Sequence, residues 1–207
     1  MRLLTALLAA CICASVAHAD VPPAPLAEST VVVLGEDSLG SGFYIGGGVF
    51  VTAAHVVENL TSVKLELSDE RTARGKVIFI DARADLAFVL APVVDVNVAL
   101  IACRASVLGE EISVRGNPAG VRFISTWGRV AGAARQLGPW AIVTPINVSA
   151  AGGNSGGPVF DTQGKVIGVL VGLGTSGGTM FSPGAPFISL AVPSLSVCRA
   201  RDYLGLE

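Results

Sequence analysis

From Ser29 to Val192 the chain is written almost entirely in short β-branched and aliphatic runs, each cut off by glycine or a polar turn. Such runs are too short and too β-branched to favour helix, and turn residues at this spacing read as an antiparallel all-β protein. Val31–Val33, Gly42–Ile45, Val49–Val51, Val63–Leu67, Lys76–Ile80 and Leu86–Leu90 form a first set of predicted strands. Val63–Leu67 alternates apolar and polar residues, as a half-exposed strand must. A second set begins near Ile112 and takes in Val121–Ile124, Gly128–Val130, Ala141–Val143, Pro158–Phe160, Val166–Val171 and Ile188–Val192. Two sets of about six strands fit two barrels, with Ala91–Gly109 crossing between them. The boundaries read as 29–100 for the first barrel and 101–207 for the second. One helix is expected, from Ser194, as its cap, to Tyr203. The glycine-rich stretch Gly172–Gly184 is too irregular for a strand and reads as a surface loop.

Hydrophobic residues make up 51% of the 207 and charged residues only 14%, which excludes disorder and implies well-buried strands. The net charge is −2 and no basic patch is visible, so nucleic acid is not an expected partner. Arg2, an apolar run from Leu3 to Val16, and the small-residue site Ala17-His18-Ala19 together read as a secretory signal over residues 1–19. Leu8-Ala9-Ala10-Cys11 offers an alternative, a lipid anchor through Cys11. The apolar run is too short to span a membrane, and the protein after cleavage is expected not to be an integral membrane protein. Residues 20–28, with Pro22, Pro23 and Pro25, read as an extended linker. Of four cysteines, Cys103 and Cys198 would survive cleavage after Ala19. An oxidising compartment invites a disulfide between them, and two buried thiols are the other reading.

The chemistry is concentrated in Gly153-Asn154-Ser155-Gly156-Gly157-Pro158. A serine set among glycines before the apolar Val159 and Phe160 lies on a tight turn that exposes its hydroxyl. The same glycines let backbone N–H groups converge where an oxyanion would form. A hydroxyl needs a base to become a nucleophile, and imidazole suits neutral pH. The chain has two histidines, His18 in the leader and His55, so the base is His55 by elimination. Asp85, heading the apolar run Leu86–Leu90, is the carboxylate to orient that imidazole. Asp81 is the competitor and reads as a turn residue or a partner of Arg83. The order His, Asp, Ser differs from the order Ser, acid, His of α/β-hydrolases. No metal cluster can be built around one histidine without a carboxylate grouping, and no cofactor is required.

These segments resemble the chymotrypsin/trypsin-fold serine peptidases, and more closely their HtrA-like branch. The resemblance rests on Gly40-Ser41-Gly42-Phe43 before Thr52-Ala53-Ala54-His55, then Asp85-Leu86-Ala87-Phe88-Val89, Gly116-Asn117-Pro118, Gly153–Pro158 and Leu190-Ala191-Val192-Pro193-Ser194. It covers nearly all of the chain after the leader. It implies two six-stranded antiparallel Greek-key barrels closed by a terminal helix. It also implies a triad of His55, Asp85 and Ser155, with an oxyanion hole from the N–H groups of Gly153 and Ser155. In this family the residue six before the nucleophile floors the substrate pocket, here the uncharged Ser149. Val171 and Leu173 would line that pocket and favour small or medium apolar side chains. The residues after Pro193 are too few for the PDZ domain common in HtrA-like proteins. Asn154 stands where trypsin-like zymogens carry an aspartate, so activation by a new N-terminus is not expected.

The function expected is that of a secreted or periplasmic serine endopeptidase acting on polypeptides, unfolded ones among them, through an acyl-enzyme. Two alternatives share the fold: a latent or silent binding module, and an esterase. The sequence does not address the oligomeric state.

Overall fold

The computed structural model describes residues 28–174 and 188–206, with backbone only at 173 and 174. The leader and all but the last residue of the Pro-rich segment lie outside this range. So does most of the glycine-rich stretch, although its first residues continue a strand.

Six strands close the first barrel: β1 (Thr30–Leu34), β2 (Leu39–Gly46), β3 (Val49–Thr52), β4 (Ser62–Glu66), β5 (Thr72–Asp81) and β6 (Leu86–Leu90). They join in the order β1-β2-β3-β6-β5-β4, and β1 pairs with β4 to complete the ring. The alternation in β4 works as its sequence demands, with Val63 and Leu65 buried and Lys64 exposed. Phe43, Phe50 and Phe88 fill the interior without exposure. Each such aromatic contributes about 1.5–3 kcal/mol relative to an exposed one.

The second unit holds β7 (Glu111–Gly116), β8 (Ile124–Val130), β9 (Arg135–Leu137), β10 (Trp140–Asn147), β11 (Pro158–Asp161), β12 (Val166–Gly174) and β13 (Ile188–Pro193). Its order is β13-β12-β11-β7-β8-β10-β9, and a further pairing of β10 with β13 brings the sheet round on itself. The result is the expected two-barrel all-β fold, with β9 as a hairpin arm added to the second barrel.

Three local expectations need correction. Val121–Ile124 is not a strand, because the chain turns at Arg122 and Phe123, whose φ is 56°. Gly128 does not begin a strand but lies inside β8, where a Cβ would stand 1.7 Å from the Asn147 carbonyl oxygen of β10. The helix α1 (Ser194–Tyr203) forms as expected, yet Pro193 occupies the cap position and Ser194 is its first residue. The Ser194 hydroxyl donates to the Arg104 carbonyl at 3.3 Å instead of capping.

The crossing segment is tied down near its middle. Cys103 is bonded to Cys198 of α1, with Cα atoms 5.9 Å apart. Beside it, the Arg104 guanidinium is paired with Glu110 and with the buried Asp161. A bridge across 95 residues removes much loop entropy from the unfolded chain, so its loss is expected to cost about 4 kcal/mol. Denaturant melts of Cys103→Ser/Cys198→Ser against the oxidised wild type will check this. A midpoint that does not move would show that the bridge constrains nothing.

Candidate active site

His55 is carried on a single 3-10 turn, Ala54–Val56, that follows β3 directly. Its flanking residues Ala54 and Val56 are buried while the imidazole is 44% exposed. Asp85 stands at the entrance of β6 in the left-handed region, with φ at 54°. A non-glycine residue adopts that backbone at a cost of about 1 kcal/mol or more, and such strain persists where the surroundings fix it. Here the fixing is visible. Asp81 accepts the N–H groups of Arg83 and Ala84 at 3.0 Å each, which makes it the turn residue that delivers Asp85.

The Asp85 carboxylate is 9% exposed and fully engaged. Its Oδ1 accepts the backbone N–H of His55 at 3.0 Å. The His55 Nδ1–H donates to Oδ2 at 2.8 Å and, more weakly, to Oδ1 at 3.1 Å. The indole N–H of Trp140 donates to Oδ2 at 3.0 Å. Burial raises the carboxyl pKa, but the hydrogen bonds from His55 and Trp140 outweigh it and hold Asp85 below the ordinary carboxylate value. An ionised carboxylate only accepts, so Nδ1 carries a proton, and in the neutral imidazole the lone pair is then on Nε2.

Ser155 lies across the barrel interface, in the turn before β11. Its carbonyl accepts the N–H of Ser41 from β2 at 2.7 Å, which fixes this turn to the first barrel. Gly156 sits at φ 87°, and a Cβ there would come within 2.1 Å of the Ser41 carbonyl oxygen, so only glycine allows the approach. The loop ahead of Ser155 is oriented from outside. The Gly152 carbonyl accepts the Ala119 N–H at 2.7 Å, and the Gly153 carbonyl accepts the Ser41 hydroxyl at 2.7 Å. That hydroxyl in turn accepts from the backbone N–H of Asn117 at 3.0 Å and from its side-chain amide at 2.9 Å. Among the described residues, the N–H groups of Gly153 and Ser155 meet no acceptor, whereas those of Asn154, Gly156 and Gly157 are all bonded. Two free N–H donors beside the serine are what an oxyanion hole requires.

His55, Asp85 and Ser155 line one cavity of about 700 Å³. The Ser155 hydroxyl and the His55 ring line it without a hydrogen bond between them. Ala150, Ala151, Gly152, Leu170, Val171 and Gly172 supply its small apolar wall. Val171 is part of this wall. Ser149 is exposed and outside the lining. The Ser189 hydroxyl holds the carbonyl of buried Val148, and the next residue turns outward. The backbone of Leu173 continues β12, and its side chain lies outside the described residues.

Ser41, Asn117 and Trp140 are site residues that the sequence reading did not single out. The first two sit inside segments that carry the family resemblance. Trp140 had no local signal at all.

Two β-barrels, with a buried aspartate bonded to a histidine and a glycine-bracketed serine lining the same cavity, define the chymotrypsin-like class of serine peptidase folds. Residues 40–169 match the family model of the trypsin-like peptidase domain, and the chain belongs to that family. A probable periplasmic DegP-like serine endoprotease of Bartonella henselae is 33% identical over 81% of this chain and 33% of its own length. Its counterpart in Marinomonas is 31% identical over 81% of this chain and 35% of its own length. The chain therefore spans about a third of the length of these relatives. Solved structures share the fold. The Rv3671c protease of M. tuberculosis, in an inactive form, has a TM-score of 0.74 at 24% identity, over 88% of this chain and 91% of that one. The serine endoprotease from Yersinia pestis has a TM-score of 0.75 at 21% identity, over 89% and 68%.

Proposed function

We propose that the chain is a secreted serine endopeptidase with Ser155 as nucleophile, His55 as base and Asp85 as its orienting carboxylate. The observation that carries the proposal is the buried Asp85 holding the His55 Nδ1–H in the cavity that also receives Ser155. The Ser155 hydroxyl oxygen attacks the scissile carbonyl carbon, and its proton passes to His55 Nε2. The oxyanion is received by the N–H groups of Gly153 and Ser155. Collapse breaks the C–N bond, and the departing amine takes the proton from Nε2. A water then repeats the sequence on the acyl-enzyme, releasing acid and regenerating the serine.

The substrates are polypeptides with small or medium aliphatic residues at the cleaved position, because the wall formed by Ala150, Ala151, Leu170 and Val171 carries no charge. The relatives' periplasmic assignment and the leader-like first residues favour action outside the cytoplasm, on unfolded chains among others. Among the described residues no helix is long and apolar enough to cross a membrane.

The test is labelling with a fluorophosphonate followed by peptide mapping. The expected result is one adduct, on Ser155. A folded, unlabelled protein would overturn the peptidase reading in favour of a silent binding module.

A further inference from the structure

Trp140 is the first residue of β10, at the end of the β9–β10 hairpin arm of the second barrel. The hairpin is docked on the first barrel next to Asp85, since the Ala141 N–H donates to the Arg83 carbonyl at 3.0 Å. That bond holds the turn from which Asp85 emerges. The indole N–H then reaches the same Oδ2 that accepts the His55 Nδ1–H. The strand β12, which also lines the cavity, reads Val-Ile-Gly-Val-Leu-Val-Gly-Leu-Gly and offers no side-chain donor. Among the described residues Trp140 is thus the one side chain other than His55 that donates to this carboxylate. Its ring lies against Gly172, where a Cβ would come within 2.9 Å of two ring carbons, and it lines the cavity.

We propose that Trp140 is the positioning residue of this site, holding Asp85 and through it the His55 ring from the opposite barrel, and that its ring forms a substrate-facing wall over Gly172. The proposal rests on the peptidase reading for its kinetic part only. A carboxylate in a nearly closed site depends on every donor it has, and a hydrogen bond to a charged group is worth more than one between neutral groups. Without the indole N–H, Oδ2 keeps only the His55 bond, and the imidazole gains freedom to leave the geometry in which Nε2 faces the serine. The close packing of the ring on Gly172 sets the width of the cleft at that point.

The two roles separate chemically. Trp127 is 53% exposed on β8, so a Trp127→Phe background leaves Trp140 as the one tryptophan for replacement by 3-benzothienylalanine. That analogue keeps the ring and loses the N–H. It is expected to lower kcat about 10- to 100-fold with KM little changed. Trp140→Ala is expected to lower kcat and also raise KM for substrates with large residues near the cleaved bond. In ¹⁵N-histidine NMR, the low-field His55 Nδ1–H resonance is expected to shift and broaden in the analogue.

Equal kcat and an unchanged resonance in the analogue would overturn the proposal even if the wild type is labelled by fluorophosphonate. A wild type that resists labelling would defeat the peptidase reading instead, and the resonance would still decide whether Trp140 holds the Asp85–His55 pair.

Discussion

Ser155→Ala should lower turnover by about 10⁶-fold while the melting temperature stays within a degree or two of wild type. The change removes one oxygen that makes no hydrogen bond among the described residues, so no partner is left unsatisfied. The bonds that hold the turn use no side-chain atom of Ser155: its carbonyl still accepts the Ser41 N–H, and the Gly156 N–H still donates to the Leu170 carbonyl at 2.6 Å. His55 and Asp85 keep their bonds because neither reaches Ser155. What disappears is the covalent step itself. The residue of activity would come from the Gly153 and Ser155 N–H groups acting on a water attack, worth about 10³-fold over solution. Turnover on a peptide substrate and a thermal melt, run on the same preparation, check both halves. A rate within tenfold of wild type would move the nucleophile elsewhere. A collapsed melting temperature would mean that the hydroxyl is structural.

The fold was legible because strand runs and turns obey local rules. Val63-Lys64-Leu65 points its residues by period two, and the structure buries and exposes them accordingly. The errors fall where a residue answers to something distant in sequence. Gly128 looks like the start of a strand, but it lies inside one, and its missing side chain admits the Asn147 carbonyl of the paired strand. Phe123 looks like a strand residue, but its N–H is taken by the Asn117 side chain at 2.9 Å and its backbone is left-handed. Ser194 has the chemistry of a cap and spends it on Arg104 instead. The candidate site shows the same division. His55, Asp85 and Ser155 are recognisable because the reaction restricts which residue types can serve and because each lies in a distinctive segment. The groups that hold them are not. An indole N–H on an added hairpin can serve a carboxylate only after two barrels have met, and nothing near Trp140 in sequence says which acceptor it will find. Ser41 acts on Gly153, 112 residues away, by a hydroxyl that any turn serine possesses.

Asp85→Asn should reduce kcat by about 10⁴-fold without opening the fold. An amide is nearly the same size, but its single oxygen can replace either Oδ1, accepting the His55 backbone N–H, or Oδ2, accepting the Trp140 indole, and not both. With the oxygen kept on the His55 backbone N–H, the NH₂ takes the place of Oδ2 and faces Nδ1. That NH₂ donates, and a donor facing Nδ1 selects the tautomer whose proton sits on Nε2. The lone pair that should take the serine proton is then occupied. The pH dependence of stability supplies an independent check. In the folded protein the Asp85 carboxyl is held below its ordinary value, so on the acid side the unfolded chain binds more protons than the folded one. The stabilisation from the ionised group is present in full above the ordinary carboxylate value. It is lost as the pH falls through the lowered folded value. Asparagine does not titrate, so the difference in stability between wild type and Asp85→Asn should shrink as the pH is taken down across that window. Urea melts at a series of pH values between neutrality and the acid limit measure it. A constant difference would mean that Asp85 is not held ionised by His55 and Trp140. A kcat that survives the substitution would leave the imidazole tautomer set by another group.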